Sequence, residues 1–272
     1  MPRSKPSLPD HLSPEEAAVY RRAMQALADA HVPFLVSGAY AFACYTGIER
    51  STKDFDLFVR RTDLERAQDV LQAAGFRTEL PYPHWLAKAY DDPYFIDLIF
   101  RAANGLFEVD DAWFERAPTD TVLGVPVQLC PPEEILATRA FIMERERFDG
   151  ADVAHLLRCE AVELDWDRML ALFGPHWRVL LSHLVLFGFI YPGHRDAIPA
   201  EVMQTLLGRL QGEIDRPASP EQLCQGTLLS RQQYLVDVQE HGYQDARLAP
   251  EGAMTREEVE IWTDAIPAPT PP

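Results

Sequence analysis

The run Asp54-Phe55-Asp56-Leu57-Phe58-Val59 constrains this chain more than any other stretch. Its composition is that of a buried strand, yet it carries two carboxylates at i and i+2. Side chains alternate along a strand, so Asp54 and Asp56 share one face while Phe55, Leu57 and Val59 enter a core from the other. Neighbouring carboxylates repel each other and are costly to desolvate unless a cation lies between them. Hard oxygen donors of this kind suit Mg²⁺ (or Mn²⁺), above all when a substrate phosphate completes the shell.

The residues on either side extend this pattern. A short apolar run over 33–36 ends at Ser37-Gly38, and glycine permits both a tight turn and close approach of a ligand to the backbone. A helix is expected from Tyr40 to near Gly47. Arg50, Lys53, Arg60 and Arg61 make the stretch locally basic at both ends. Two readings of Arg50 and Lys53 stand side by side: countercharge for a bound phosphate, or solvated charges ahead of a strand. Further on, Tyr94-Phe95-Ile96-Asp97-Leu98-Ile99-Phe100 is strongly apolar with one carboxylate in its middle. An isolated Asp there is expensive unless paired or bound to a cation. Beside Asp54 and Asp56 we read it as the third carboxylate of a metal site. Residues 84–90 are expected to form a hairpin with this strand across a turn at 91–93. His84 and Lys88 then share one face, directed either into a cleft or onto an exposed sheet surface.

The remainder of the chain reads as follows. Ser13-Pro14-Glu15-Glu16 opens a helix to about Ala30, with an N-cap serine and proline at the first helical position. Thr62-Asp63-Leu64-Glu65 has the form of a capping box for a helix to Ala74, terminated by Gly75. A strand is expected over 76–80 and a tight hairpin over 122–129. Beyond this the pattern turns helical: 132–146, 149–160, 165–173, 175–189, 199–210, 230–240 and 255–266, the last opened by Thr255 and Glu258 as a capping box. Asp149, Asp152 and His155 are spaced as one helix face; acids pairing with Arg145, Arg147 or Arg158 is preferred there to a metal site. An alternative lets Asp152 orient an acceptor hydroxyl. In the segment from Gln225 to Tyr234, Arg231 reaches a phosphate or simply docks the segment. The expected organisation is a mobile arm (1–12), a core (13–130), a helical domain (131–213) and a C-terminal segment packed on the core with a disordered end (214–272).

Composition sets limits. With 25 Lys and Arg against 42 Asp and Glu, the net charge is −17, which disfavours an extended nucleic-acid surface. The four cysteines are scattered without a C-x-x-C pair, as expected of reduced thiols in a cytoplasmic protein. No membrane association is expected: the apolar run near 179–191 is too short to span a bilayer and reads as a buried helix.

These residues resemble a known family. Ser37-Gly38-Ala39-Tyr40-Ala41, one helix, then Arg50-x-Thr52-x-Asp54-x-Asp56-Leu57 and a later apolar strand with a single Asp are similar to the small bacterial nucleotidyltransferases of the DNA polymerase β superfamily. That group includes antibiotic-modifying and toxin-type enzymes. The resemblance covers roughly residues 30–130, and a weaker likeness runs on through Pro132-Glu133-Glu134-Ile135 and the stretch 147–153. It implies an α+β fold, a mixed-sheet nucleotidyltransferase core followed by an α-helical region. It implies that Gly38 lies at the phosphate turn, with Ser37 and Ala39 flanking it, and that Asp54, Asp56 and Asp97 hold divalent metal. Ala39 departs from the Gly or Ser usual at that position, so no hydroxyl is offered there, although Ser37 has one. The expected reaction moves an NMP from an NTP such as ATP to a hydroxyl acceptor and releases pyrophosphate. Overall acidity favours a small cationic molecule or a protein side chain as acceptor; a tRNA end, and a non-catalytic nucleotide- or partner-binding role, are the alternatives.

Overall fold

A computed structural model describes residues 12–50, 52–214 and 216–264. The segments read as a mobile arm and a disordered end lie almost wholly outside these residues. The chain forms two compact units. One comprises the described residues to Pro131 together with Met254–Ile261; the other comprises Pro132–Ala253 and the described residues from Trp262 onward.

The first unit is built on a seven-stranded sheet. Its elements are α1 (Pro14–Asp29), β1 (Leu35–Val36), α2 (Gly38–Thr46), β2 (Phe55–Phe58), α3 (Leu64–Ala73), β3 (Arg77–Tyr82), β4 (Leu86–Asp91), β5 (Tyr94–Ile99), α4 (Asp111–Arg116), β6 (Thr119–Val122) and β7 (Val125–Leu129). The strand order is β3-β4-β5-β2-β1-β7-β6. Pairing is parallel for β1 with β7 and for β2 with β5, and antiparallel elsewhere, so the sheet is mixed. The Ser13 side chain accepts a hydrogen bond from the Glu16 amide at 3.0 Å, which starts α1. This helix buries Ala17, Tyr20, Ala23, Met24 and Leu27, one face at helical spacing. Tyr20 stacks on Phe55 at 4.7 Å and Tyr40 meets the same ring edge-on at 4.9 Å. Phe55 is thereby fixed in the core, and the alternation of β2 turns Asp56 to the opposite face.

Several local expectations are corrected. The Thr62 capping box does not form. Arg60 Nε takes Asp63 at 2.6 Å, a 3-10 turn spans Arg61–Asp63, and α3 begins only at Leu64. His84 lies in the turn before β4 rather than on the strand. It is buried, with Nε2 3.3 Å from the Ala103 carbonyl, so it does not share a strand face with Lys88. Helix α4, which no sequence signal had suggested, starts where Asp110 accepts from the Ala112 amide.

The second unit contains α5 (Pro132–Ala140), α6 (Gly150–Glu160), α7 (Trp166–Phe173), α8 (Trp177–Ile190), α9 (Ala200–Ile214), β8 (Leu223–Cys224), α10 (Leu235–Gln239) and β9 (Gln244–Asp245); α11 (Arg256–Asp264) begins in the first unit. Helix α5 stops at Ala140 instead of running to 146. The polar run from Glu144 to Arg147 has no apolar face to pack, and it forms a small loop in which Met143 and Phe148 bridge. Glu144 accepts from the Ser230 hydroxyl and, at 3.1 Å, from the Arg231 amide. Ser230 is used in that turn, so the helix expected from 230 is confined to α10. By length and apolar composition, Trp166–Ile190 passes as a possible membrane span. A 3-10 turn at Gly174–His176 breaks it, and α8 buries Leu180, Leu184 and Phe187.

Candidate active site

The sheet brings the three acids together. Asp56 on β2 is the Cα partner of Asp97 on the adjacent parallel strand β5, and Asp54 immediately precedes β2. One carboxylate oxygen from each of Asp54, Asp56 and Asp97 lies within 4.8 Å of the others. Among the described residues this is the one cluster of acids, histidines or cysteines placed to hold a metal ion. Asp54 is held by the Thr52 hydroxyl. Asp97 is only 7% exposed and receives a 2.6 Å hydrogen bond from Lys88 Nζ. Burial pushes the Asp97 carboxyl above the usual carboxylate range; Lys88 pulls it back, and the charge of nearby Asp54 adds to the rise. Behind the strand, burial raises the Tyr20 and Tyr40 phenols well above their ordinary range, so both stay protonated.

The turn that enters α2 is locked to this cluster. The Ser37 amide donates to the Asp56 carbonyl at 2.9 Å, extending the β1–β2 pairing by one residue. Gly38 then adopts φ +59, and a Cβ there would collide with Asp56 Oδ2. Only glycine satisfies both conditions. Ser37 caps α2 without a side-chain hydrogen bond, so its hydroxyl is not spent on the first-turn amides, which keep their donor capacity for an anion. Ala39 follows within that first turn.

The basic residues separate. Arg50 is exposed, with its guanidinium 4.8 Å from the Phe42 ring centroid on α2. Lys53 is exposed at the bend before Asp54. Lys88, by contrast, contacts the acid cluster directly. The sequence held a signal for it: a lone cation in Leu86-Ala87-Lys88-Ala89-Tyr90 opposite a lone anion in the apolar strand that follows.

In the second unit, Asp149 and Asp152 are held by arginines. Arg139 Nη1 reaches Asp152 at 2.6 Å and Asp149 at 3.2 Å, and Arg147 Nη2 reaches Asp149 at 2.8 Å. Arg147 was among the expected partners. Arg139 was not, because it enters from the last turn of α5, which packs on α6. Arg158 instead lies over the Tyr191 ring. Arg231 Nε is 3.8 Å from Glu144, and its guanidinium lies over Trp262 at 4.7 Å, so the segment docks by this residue.

Residues 18–174, more than half of the chain, match the model of a family described as an uncharacterised nucleotidyltransferase. The chain belongs to this nucleotidyltransferase family. It is a nucleotidyltransferase enzyme with a mixed-sheet core followed by a helical region. Among solved structures it is similar to the antibiotic-resistance factor ANT(2'')-Ia, at 15% identity, 62% of this chain, 96% of that chain and TM-score 0.45. An antigenic nucleotidyltransferase-like protein from Paracoccidioides brasiliensis is 18% identical over 68% of this chain and 93% of its own, with TM-score 0.41. The lincosamide antibiotic adenylyltransferase LnuA, lincomycin-bound, is 12% identical over 53% and 96%, with TM-score 0.38. The family membership rests on the family match rather than on these neighbours. None of the curated proteins compared with the chain matches it.

Proposed function

We propose that this nucleotidyltransferase transfers an NMP from an NTP, ATP included, to a hydroxyl on a small molecule or protein, and that it requires a divalent metal. The observation that carries the reading is the convergence of three carboxylates against a turn where only glycine fits. The donor set suits the metal: all the oxygens are hard, and each of the three acids offers one within 4.8 Å of the others. Asp54, Asp56 and Asp97 would hold Mg²⁺ or Mn²⁺. Bound there, the metal would neutralise charge on the reacting phosphates and orient the attacking and leaving oxygens.

The chain's own residues supply the rest. The Gly38 turn and the first amides of α2, with Ser37 and Ala39 at its edge, would receive the phosphates as a helix N-terminus receives an anion. Arg50 and Lys53, exposed beside the cluster in sequence, would add countercharge. The acceptor oxygen bonds to the α-phosphorus, the bond from that phosphorus to the bridging oxygen breaks, and pyrophosphate leaves. The acceptor proton would pass to Asp97, which stands in the acid cluster beside the reacting oxygens' metal-holding groups. Phosphoryl chemistry of this kind needs positioning and charge more than covalent participation. The net charge of −17 favours a cationic small molecule or protein side chain over a long polynucleotide. ATP as donor and free thiols at all four cysteines suit a cytoplasmic setting.

Incubating the protein with labelled NTPs and cell extract, then locating the label, tests the reading. Label in small molecules or protein, absent with Asp56→Ala, supports it. Label confined to tRNA would move the acceptor to RNA. Metal-dependent nucleotide binding without transfer to any pool would leave a binding protein.

A further inference from the structure

The sheet itself fastens Lys88 to the acid cluster. Lys88 on β4 is the Cα partner of Asp97 on β5, and Nζ donates to Asp97 Oδ1 at 2.6 Å. The two side chains are 20% and 10% exposed. The ammonium also lies 4.1 Å from the centroid of the Phe95 ring, which shares the Asp97 face of β5. Glu79, the partner of Lys88 on β3, is bonded to Arg77 instead. The ammonium is thus committed to Asp97 and held from a second side by an aromatic face.

We propose that Lys88 is a positioning residue that fixes Asp97 and makes the acid cluster prefer a divalent ion carried on a nucleotide to the free ion. The inference rests on the metal reading above. Three carboxylates alone present a charge that draws in any free dication. A fixed ammonium cancels one of those charges and competes for one Asp97 oxygen. A nucleoside triphosphate carrying one divalent ion remains net negative, so the same ammonium that opposes the free ion favours the complex. Neutralising Lys88 therefore changes the two affinities in opposite directions, which loss of a merely structural contact would not do.

The test compares wild type, Lys88→Met, Lys88→Arg and Asp56→Asn. Mn²⁺ alone is titrated by paramagnetic resonance, and Mn²⁺ with α,β-methylene-ATP by calorimetry, with melting temperature as the folding control. Lys88→Met should bind free Mn²⁺ about tenfold more tightly and the Mn²⁺–nucleotide about tenfold more weakly, while Lys88→Arg stays near wild type on both. If Lys88→Met melts far below wild type, Lys88→Gln carries the same comparison. Affinities within twofold of wild type, or both changed in one direction, overturn the inference while the metal reading stands, provided Asp56→Asn abolishes Mn²⁺ binding. Mn²⁺ binding undisturbed by Asp56→Asn overturns both.

Discussion

At the scale of single residues, the site depends on a missing atom and on excess charge. Gly38 combines φ +59 with the absence of the Cβ that would strike Asp56. Gly38→Ala should lower stability by about 1–3 kcal/mol in urea denaturation, since both the strained backbone and the displaced acid oppose it. Metal–nucleotide affinity, read by calorimetry, should fall at least about tenfold. The acids themselves repel one another. Asp56→Asn is expected to melt at the same or a higher temperature than wild type without metal, and to lose the rise that Mn²⁺–nucleotide gives wild type in a thermal scan. The acids were legible because each interrupts an apolar run where a carboxylate needs a reason. Lys88 was legible only as a candidate, since its contact with Asp97 depends on strand register, and a slip of one residue would turn it to the other face.

At the scale of elements, similar capping signals met different fates. Thr255 and Glu258 form a reciprocal box at the start of α11, with the Thr255 amide donating to Glu258 at 2.8 Å and the Glu258 amide to the Thr255 hydroxyl at 3.2 Å. Thr62 forms none: it lies inside the 3-10 turn Arg61–Asp63, and α3 begins only at Leu64. Thr255→Ala should therefore cost about 1 kcal/mol and Thr62→Ala close to nothing, compared by urea denaturation. Helix α8 carries a pH dependence. His183 is buried, its Nε2 2.9 Å from the Ala140 carbonyl at the end of α5, and burial holds it below its ordinary value of 6.5 although that hydrogen bond opposes the shift. A folded-state value below the unfolded one means that the unfolded chain binds the proton first. Stability is thus fully present above about 6.5 and declines as pH falls toward the folded value. Denaturation at pH 7 and pH 5 should show this loss, with a smaller loss in His183→Gln, whose amide can still donate to Ala140 but does not titrate. Neither His183 nor Arg139 announced its partner in sequence, since each meets a residue brought to it by helix packing.

At the scale of the whole molecule, the chain comprises two compact units, and the acid cluster lies within the first. Calorimetric unfolding should resolve two transitions rather than one. Mn²⁺ with α,β-methylene-ATP at about a hundred times its dissociation constant should stabilise the unit containing Asp56 by about 2.7 kcal/mol and raise its transition, a rise that Asp56→Asn loses. What the sequence determined by itself was local: the i, i+2 acids, the glycine turn, the caps of α1 and α11, and the alternation that sends Phe55 inward. These follow from backbone sterics and side-chain periodicity over a few residues. Tertiary structure decided the rest. It placed Asp56 opposite Asp97 on strands 41 residues apart in sequence, turned His84 into a buried turn, ended α5 at Ala140 and gave Asp152 to Arg139. Those outcomes depend on strand register and helix packing, where the free energy comes from surfaces distant in the chain, and short-range pattern carries no record of which surfaces meet.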